Sequence, residues 1–538
     1  MLGRRQKIPH IFFLLVFLLL GGVLSLFFGK DLNWDLTNYH FYNPYALLHH
    51  RYNIDYWPAN INTFLNPTVD FVLYFMINTF PPIVTGFLMG AIHGLNFWLF
   101  FLIILNFIST PIQQQKYFIA MVITFLGIDS PHVLAEIGKS FNDLVVSIFV
   151  FAAIFYSIKI IKIQASRQTT SMKKIALIGL LLGFGTGLKY TAGIYLVGAS
   201  LAFLFFPFSA WKSKIKCVTV LNIFALIGIA VTAGYWMVFL FYKYHSPLYP
   251  YFANIFHAGI PMDQVMFQDW RHKTNFPQSF WQAVFFPFYF SWSGAASDFP
   301  FIDFRLLIVY CLFICLAFVL KSTRNKFSLE EKWLLLFFVF SYIVWEYVFA
   351  ALRYIAALEM LSPLVIYILI RHLISKTDLK LYAIAILYGF ILLTMHYKIN
   401  WVIGSWATPS FFGVKVPRKL LEINNNLALI PTVKLDYPRD APQSLAYLIP
   451  FFPENWHFVG VPYAYKINNI FTDDRKNIIL KHSGSIILIA TENVMPDFIK
   501  MAKTIGLTQT DTCVIIQSEC EMKLKTPVIG CPMKKALY

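Results

Sequence analysis

The stretch Lys30-Asp31-Leu32-Asn33-Trp34-Asp35-Leu36-Thr37-Asn38-Tyr39-His40 holds the densest set of groups able to do chemistry, and it continues through Tyr42, Asn43, His49, His50 and Arg51. Asp31 and Asp35 are four residues apart, and Asp35, Asn38 and Tyr39 share a face if the stretch is helical. A carboxylate held there can take a proton from an acceptor hydroxyl. The same residue types also cap helices and line membrane interfaces. Spacing alone does not choose between these readings.

Basic residues supply a complementary half. Lys139 lies in Gly138-Lys139-Ser140-Phe141-Asn142-Asp143, Lys189 between two short apolar runs, and Arg353 in the middle of an apolar stretch. Cations within apolar segments are costly and tend to line polar cavities, although either could instead snorkel to the interface. Lys189 and Arg353 are therefore expected to bind phosphate, with Lys139, Arg271 and Arg305 as secondary candidates. Such cations neutralise a leaving phosphate without a metal. His245, His257 and His272 could contact phosphate, but isolated loop histidines more often have structural roles. No metal site is expected: His49 and His50 are adjacent, so their side chains diverge, and no spaced histidine pair has a carboxylate partner. There is no phosphate-binding Walker loop and no dinucleotide fingerprint. No cofactor is implied, and nucleotide-driven transport gains no support.

The elements that must position these residues follow from composition. Of 538 residues, 58% are hydrophobic and only 13% charged, and the mean hydropathy is +0.61. A soluble chain of this length could not cover its surface with so few charges. The pattern excludes a cytosolic enzyme, a disordered scaffold and a secreted disulfide-rich module. Apolar runs at about 8–28, 83–108, 117–128, 143–163, 175–188, 190–206, 217–242, 306–320, 333–350, 355–373 and 381–396 predict about eleven membrane spans. The first follows Arg4, Arg5 and Lys7 and lacks a small-residue cleavage site, so it reads as a retained anchor with a cytoplasmic N-terminus.

The net charge of +17 falls largely in short loops, where it sets topology by the positive-inside rule and does not mark a nucleic-acid surface. Loops 159–174, 212–216, 321–332 and 371–380 are predicted cytoplasmic. Of the 16 acids before residue 397, only Glu330, Glu331 and Asp378 fall on that side; the other 13 lie on the outer side. That segregation points to a functional site on the outer face. Residues 1–396 form the predicted transmembrane module, with exoplasmic loops 29–82 and 243–305. Val69–Met76 is too short to span and is expected to lie in the interface as an amphipathic helix. Residues 397–538 read as a small exoplasmic α/β domain. No internal repeat supports an inverted-repeat transporter.

These features resemble the glycosyltransferase C superfamily, polytopic enzymes that use polyprenyl-phosphate sugars. Trp34-Asp35-Leu36-Thr37-Asn38-Tyr39-His40 resembles its aspartate-containing first-loop motif, and Phe64-Leu65-Asn66-Pro67-Thr68-Val69-Asp70 its proline-containing lead into a juxtamembrane helix. Gly187-Leu188-Lys189-Tyr190-Thr191, Ser246-Pro247-Leu248-Tyr249-Pro250-Tyr251 and Arg353-Tyr354 add to the likeness, which spans about residues 1–400. The superfamily motif is often Asp-Glu or Asp-x-Asp, whereas Leu36 follows Asp35 here, so the base is either Asp31 or Asp35.

The resemblance implies a mainly α-helical polytopic fold with a C-terminal exoplasmic α/β domain. It also implies transfer of a monosaccharide from a polyprenyl-phosphate donor to an exoplasmic glycan, lipid or protein. Asp35 or Asp31 is the expected base, and Asn38, Tyr39, His40, Lys139, Lys189, Tyr190, Arg353 and Tyr354 are the expected substrate-binding residues. A single base with a phosphate leaving group implies inversion. Trp401, Trp406 and Trp456 could stack on sugars, with apolar packing the commoner role for each. The alternatives are a polymerase or ligase acting on polyprenyl-diphosphate-linked glycans, and a non-enzymatic transporter of lipid-linked sugars. Asn66-Pro67-Thr68 is blocked as a sequon, which favours a bacterial inner membrane, with the C-terminus periplasmic. An oxidising compartment permits a disulfide in the tail. Cys513 and Cys520 would stand about 23 Å apart on an extended run, so the expected pair is Cys520–Cys531, leaving Cys513 free.

Overall fold

The computed structural model describes residues 4–165, 171–206, 210–259, 276–323, 327–398, 401–422, 425–433, 444–463, 472–520 and 526–536. Arg271 and His272 lie outside them. The structure is 65% helical. Its helices run α1 Arg4–Phe27, α2 Tyr42–Leu48, α3 Asp70–Thr79, α4 Pro82–Ile104, α5 Gln113–Ile128, α6 Pro131–Glu136, α7 Asp143–Ala165, α8 Met172–Leu188 and α9 Gly193–Phe205. They continue with α10 Trp211–Tyr244, α11 Ala253–Phe256, α12 Phe280–Val284, α13 Phe286–Ser293, α14 Arg305–Thr323, α15 Leu329–Val348, α16 Ala356–Leu373 and α17 Thr377–Thr394. Each predicted apolar run is helical over most of its length. By length and composition, six helices in the described residues can cross a membrane: five lie within α1, α4, α7, α10 and α17, and the sixth, Leu352–Leu373, is α16 with the turn before it.

Local chemistry sets the helix ends. Proline, whose missing N–H costs nothing at a first position, opens α4 and α6. Ser328 and Glu331 form a reciprocal capping box at the start of α15. The expected interfacial segment is α3, which stops before Pro81-Pro82; it buries Asp70, Leu73 and Ile77 and exposes Val72 and Phe75.

Close packing brings α8 against α10. Gly179, Gly183 and Gly187 recur every fourth residue on α8, where a Cβ on Gly183 would meet the Ala225 carbonyl oxygen at 2.1 Å and one on Gly179 the Leu221 oxygen at 2.1 Å. Small residues at this spacing let two backbones touch. That contact fixes the end of α8, where Lys189 emerges.

The chain's short strands are β1 Lys30–Asp31, β2 Phe301–Ile302, β3 His396–Tyr397 and β4 Ile403–Gly404. β1 pairs with β4 and β2 with β3, both antiparallel. The tail then supplies β5 Leu427–Val433, β6 His457–Tyr463, β7 Ile486–Thr491, β8 Leu507–Gln509, β9 Val514–Ile516 and β10 Val528–Lys535, with helices α18 Arg418–Leu421, α19 Asp473–Lys481 and α20 Met495–Lys503. The sheet order is β6-β5-β7-β10-β8, with β9 also on β10. β5 runs parallel to β6 and β7; β10 is antiparallel to β7, β8 and β9. This domain grips the first loop. Lys30, fully buried, meets Glu519 and donates to Thr408 Oγ1 and the Phe411 carbonyl at 2.6 Å each. Arg51 donates to the Trp456 carbonyl at 2.5 Å.

The disulfide is Cys513–Cys531, and Cys520 is buried outside it; the expected pairing is corrected. The register explains it: β9 and β10 are antiparallel with Val514 opposite Gly530. The next step along both strands sets Cys513 beside Cys531, within the reach a disulfide requires.

Candidate functional site

Asp31 and Asp35 have separate fates. Asp31 Oδ1 accepts from the Asn33 backbone N–H at 3.1 Å and from Asn33 Nδ2 at 2.7 Å, while Oδ2 accepts from the Ser140 N–H at 2.8 Å. Buried with both oxygens engaged, Asp31 ties the first loop to the turn at 138–142. That turn requires Gly138, whose φ is +70° and whose absent Cβ would sit 1.9 Å from Ser25 Oγ.

Asp35 opens a widened helical turn, Leu36–His40, and its Oδ2 lies 3.1 Å from Arg353 Nη1. Arg353 is carried by the turn before α16. The Leu352 N–H donates to the Ala296 carbonyl at 2.8 Å and Tyr195 Oη to the Tyr354 carbonyl at 2.9 Å, fixing that turn from two sides. Arg353 Nη1 is also 3.3 Å from Asp298 Oδ2. Its guanidinium stands 5.3 Å from the Phe141 ring centre and 5.2 Å from that of Tyr354, the range of a cation–π contact.

Lys189 joins the same cluster. Its Nζ lies 2.6 Å from Asp143 Oδ2, donates to the Phe141 carbonyl at 2.6 Å, and stands 5.3 Å from the Tyr354 ring centre. The two cations therefore share Tyr354 and Phe141. Glu136, at the end of α6, completes the group: it is 1% exposed, and neither carboxyl oxygen has a hydrogen-bond partner. Burial pushes its carboxyl well up, and the neighbouring Asp143 pushes it further, against the pull of Lys189 and Arg353, which favours the neutral form of Glu136.

The remaining expected residues frame this cluster. Burial raises the Tyr39 phenol well above its ordinary range, with Asp35 adding to the effect, so Tyr39 remains a hydrogen-bond donor. His40 Nδ1 lies 2.7 Å from Asp70 Oδ1, to which Asn142 Nδ2 also donates at 2.7 Å. That network ties the first loop to α3. Asn38 Oδ1 accepts from Ser444 Oγ at 2.6 Å, tying the loop to the C-terminal domain. Tyr190 follows Lys189 in a short turn, and its hydroxyl is buried with no hydrogen-bond partner.

Other expected contributors stand apart. Lys139 is buried and donates to the Gly29 carbonyl at 2.5 Å, closing the end of α1; burial lowers its ammonium. Arg305 donates to the Leu126 carbonyl at 2.9 Å and pairs with Asp303 at 2.5 Å. His245 and His257 occupy left-handed positions at helix ends. Trp401 packs on Phe141 with ring centres 4.3 Å apart, Trp406 donates to the Leu26 carbonyl at 2.9 Å, and Trp456 is buried beside Phe452. Among the described residues, no three His, Cys, Asp or Glu side chains gather to hold a metal ion.

Glu136 and Asp298 lie in no segment quoted from the sequence, and Asp70, Asn142 and Asp143 lie in quoted segments without being expected as site residues. The one signal that pointed toward the four acids was their confinement to one set of loops. Neither a family model nor a curated protein matches the chain. Fold and site together define a mostly helical protein with six helices, among the described residues, long and apolar enough to cross a membrane. Two cations and four carboxyl groups gather where α8 ends, α7 begins and α16 is entered.

Proposed function

We propose that the protein is an integral-membrane glycosyltransferase moving a monosaccharide from a polyprenyl-phosphate donor to an exoplasmic glycan, lipid or protein acceptor. The observation that carries this reading is the placement of Asp35 beside Arg353, with Lys189 sharing the same aromatic ring. A base and two cations stand where an acceptor hydroxyl and a leaving phosphate would meet. Lys189 and Arg353 take the phosphate, and Asp35 takes the acceptor's proton as its oxygen attacks the anomeric carbon. Departure of the phosphate in one displacement inverts that carbon. Asp35 is preferred to Asp31 because both Asp31 oxygens are committed to the fold.

An apolar groove of about 930 Å³ runs between α12–α13 and α14–α15, lined among others by Phe280, Val309, Phe313, Phe338 and Tyr347. Its chemistry suits an isoprenoid chain, and Tyr347 lies six residues before Arg353. In this reading the chain belongs to the glycosyltransferase C type and sits in a bacterial inner membrane. The N-terminus is cytoplasmic and the C-terminal domain periplasmic; no cofactor is needed.

The test is turnover of a polyprenyl-monophosphate sugar by purified protein in lipid nanodiscs. Asp35→Asn should reduce transfer by roughly 10²–10⁴, the usual worth of a general base. A preference for diphosphate-linked donors would select the polymerase or ligase reading. Transport that survives both Asp35→Asn and Asp31→Asn would select a non-enzymatic transporter.

A further inference from the structure

The cluster holds more carboxyl groups than cations: Asp35, Asp298, Asp143 and Glu136 against Lys189 and Arg353. In the structure both cations are already satisfied internally. A phosphate must therefore displace carboxylates, and the costliest displacement is at Asp143. Asp143 is 3% exposed, so once Lys189 turns away it becomes a buried carboxylate without a counter-ion. Something must satisfy it.

Glu136 is the one buried acid in the cluster with no hydrogen bond at either oxygen. It is seven residues before Asp143, across the short turn joining α6 to α7. The charged and titratable groups that act on it electrostatically are Asp143 from α7, Lys189 from the end of α8, Tyr195 from α9, and Arg353 and Glu359 from α16 and its lead-in. Glu359 is already occupied by His132 Nδ1 at 2.9 Å. An unpaired buried acid costs stability unless it is used in another state.

Resting on the reading that Lys189 and Arg353 receive phosphate, we infer that Glu136 is a positioning residue for phosphate capture. Its carboxyl supplies the hydrogen bond that Asp143 requires when Lys189 swings from Asp143 to the incoming anion. The proton stays between the two acids, so no proton need enter from solvent. A carboxyl–carboxylate pair sharing one proton is a stable arrangement when like charges are close.

The test is binding of a polyprenyl monophosphate to the full-length protein in nanodiscs as a function of pH, with each variant read as a ratio to wild type. Glu136→Leu removes the donor and replaces an unpaired polar group by an apolar one of similar size, a change that a folded core tolerates. It should weaken binding about ten- to hundredfold above neutral pH, the worth of a charge-assisted hydrogen bond. The loss should shrink as pH falls, because Asp143 then takes its own proton from solvent. Glu136→Gln, which keeps a donor, should bind within about threefold of wild type. In an Asp143→Asn background, Glu136→Leu should cost nothing further. Glu136→Ala, made alongside, leaves the same missing donor should leucine not be accommodated. Equal binding by wild type and Glu136→Leu at every pH overturns the inference, as does a loss in Glu136→Gln equal to that in Glu136→Leu. Failure of the phosphate reading itself shows differently: Lys189→Ala and Arg353→Ala would bind the probe as wild type does.

Discussion

Arg353 Nη1 lies 3.1 Å from Asp35 Oδ2 across 318 residues of sequence, joining the first loop to the entry of α16. The cation and the carboxylate neutralise each other in this structure. In the proposed reading, a phosphate on Arg353 releases Asp35, so that Asp35 can act as base only when a leaving group is in place.

This geometry requires more than a positive charge at 353. Arg353 meets Asp35 and Asp298 while lying over two rings, a combination that suits a planar guanidinium and not a compact ammonium. Arg353→Lys should therefore lower kcat/KM by at least about tenfold with folding intact. Turnover assays beside a thermal-unfolding measurement check it; unchanged kcat/KM counts against the assignment.

Asp31 and Asp35 should separate experimentally. Asp31→Ala removes the acceptor for Asn33 and for the Ser140 N–H in a buried setting, leaving those donors unpaired at a cost of about 1–3 kcal/mol each. The expected outcome is a lowered unfolding midpoint, with the surviving folded fraction still active. Asp35→Asn should do the reverse, keeping the midpoint and losing activity. A stable, inactive Asp31→Ala protein would move the base to Asp31.

The reason sequence could not decide between them is physical. Both acids are four residues apart in one polar stretch, and what distinguishes them is Ser140 on one side and Arg353 on the other, far along the chain. The helices were legible because apolar runs of this length have few alternatives, and Val69–Met76 because proline brackets it. Lys189 and Arg353 stood out because a cation is rare in an apolar stretch. Glu136, Asp143 and Asp298 carry no such mark, since an acid in a polar loop is ordinary until its partners are known. The cysteine pairing failed for a similar reason: distance along an extended run ruled Cys513 out as a partner of Cys520, but only the β9–β10 register could bring it to Cys531.

Glu136 also predicts a pH dependence of stability. Its carboxyl is pushed well up in the folded protein, chiefly by burial, whereas in the unfolded chain it titrates near the usual glutamate value of about 4.3. Above that value folding must take up a proton, so the residue opposes folding increasingly as pH rises towards its folded pKa. Glu136→Gln needs no proton and should raise the unfolding midpoint at neutral pH. The advantage should vanish as pH approaches about 4, where the unfolded acid is protonated as well. A midpoint difference that is the same at both pH values would count against a neutral Glu136.

The placement of Lys189 depends on backbones that nearly touch. Gly183 faces the Ala225 carbonyl, with a Cβ falling 2.1 Å from the oxygen, so a larger residue must drive α8 and α10 apart. Lys189 is six residues further along the chain, just past the end of α8, and its reach to Asp143 and the Phe141 carbonyl is fixed by that packing. Gly183→Leu should destabilise the protein by at least the roughly 1–3 kcal/mol typical of overpacking. It should also weaken binding of a polyprenyl monophosphate, although residue 183 touches no ligand. Gly389 on α17 has open space where a Cβ would sit, with nothing within 4 Å, so Gly389→Leu is the matched control and should bind as wild type. Equal unfolding midpoints and equal phosphate affinities for the two leucine variants would show that the α8–α10 contact does not set the position of Lys189.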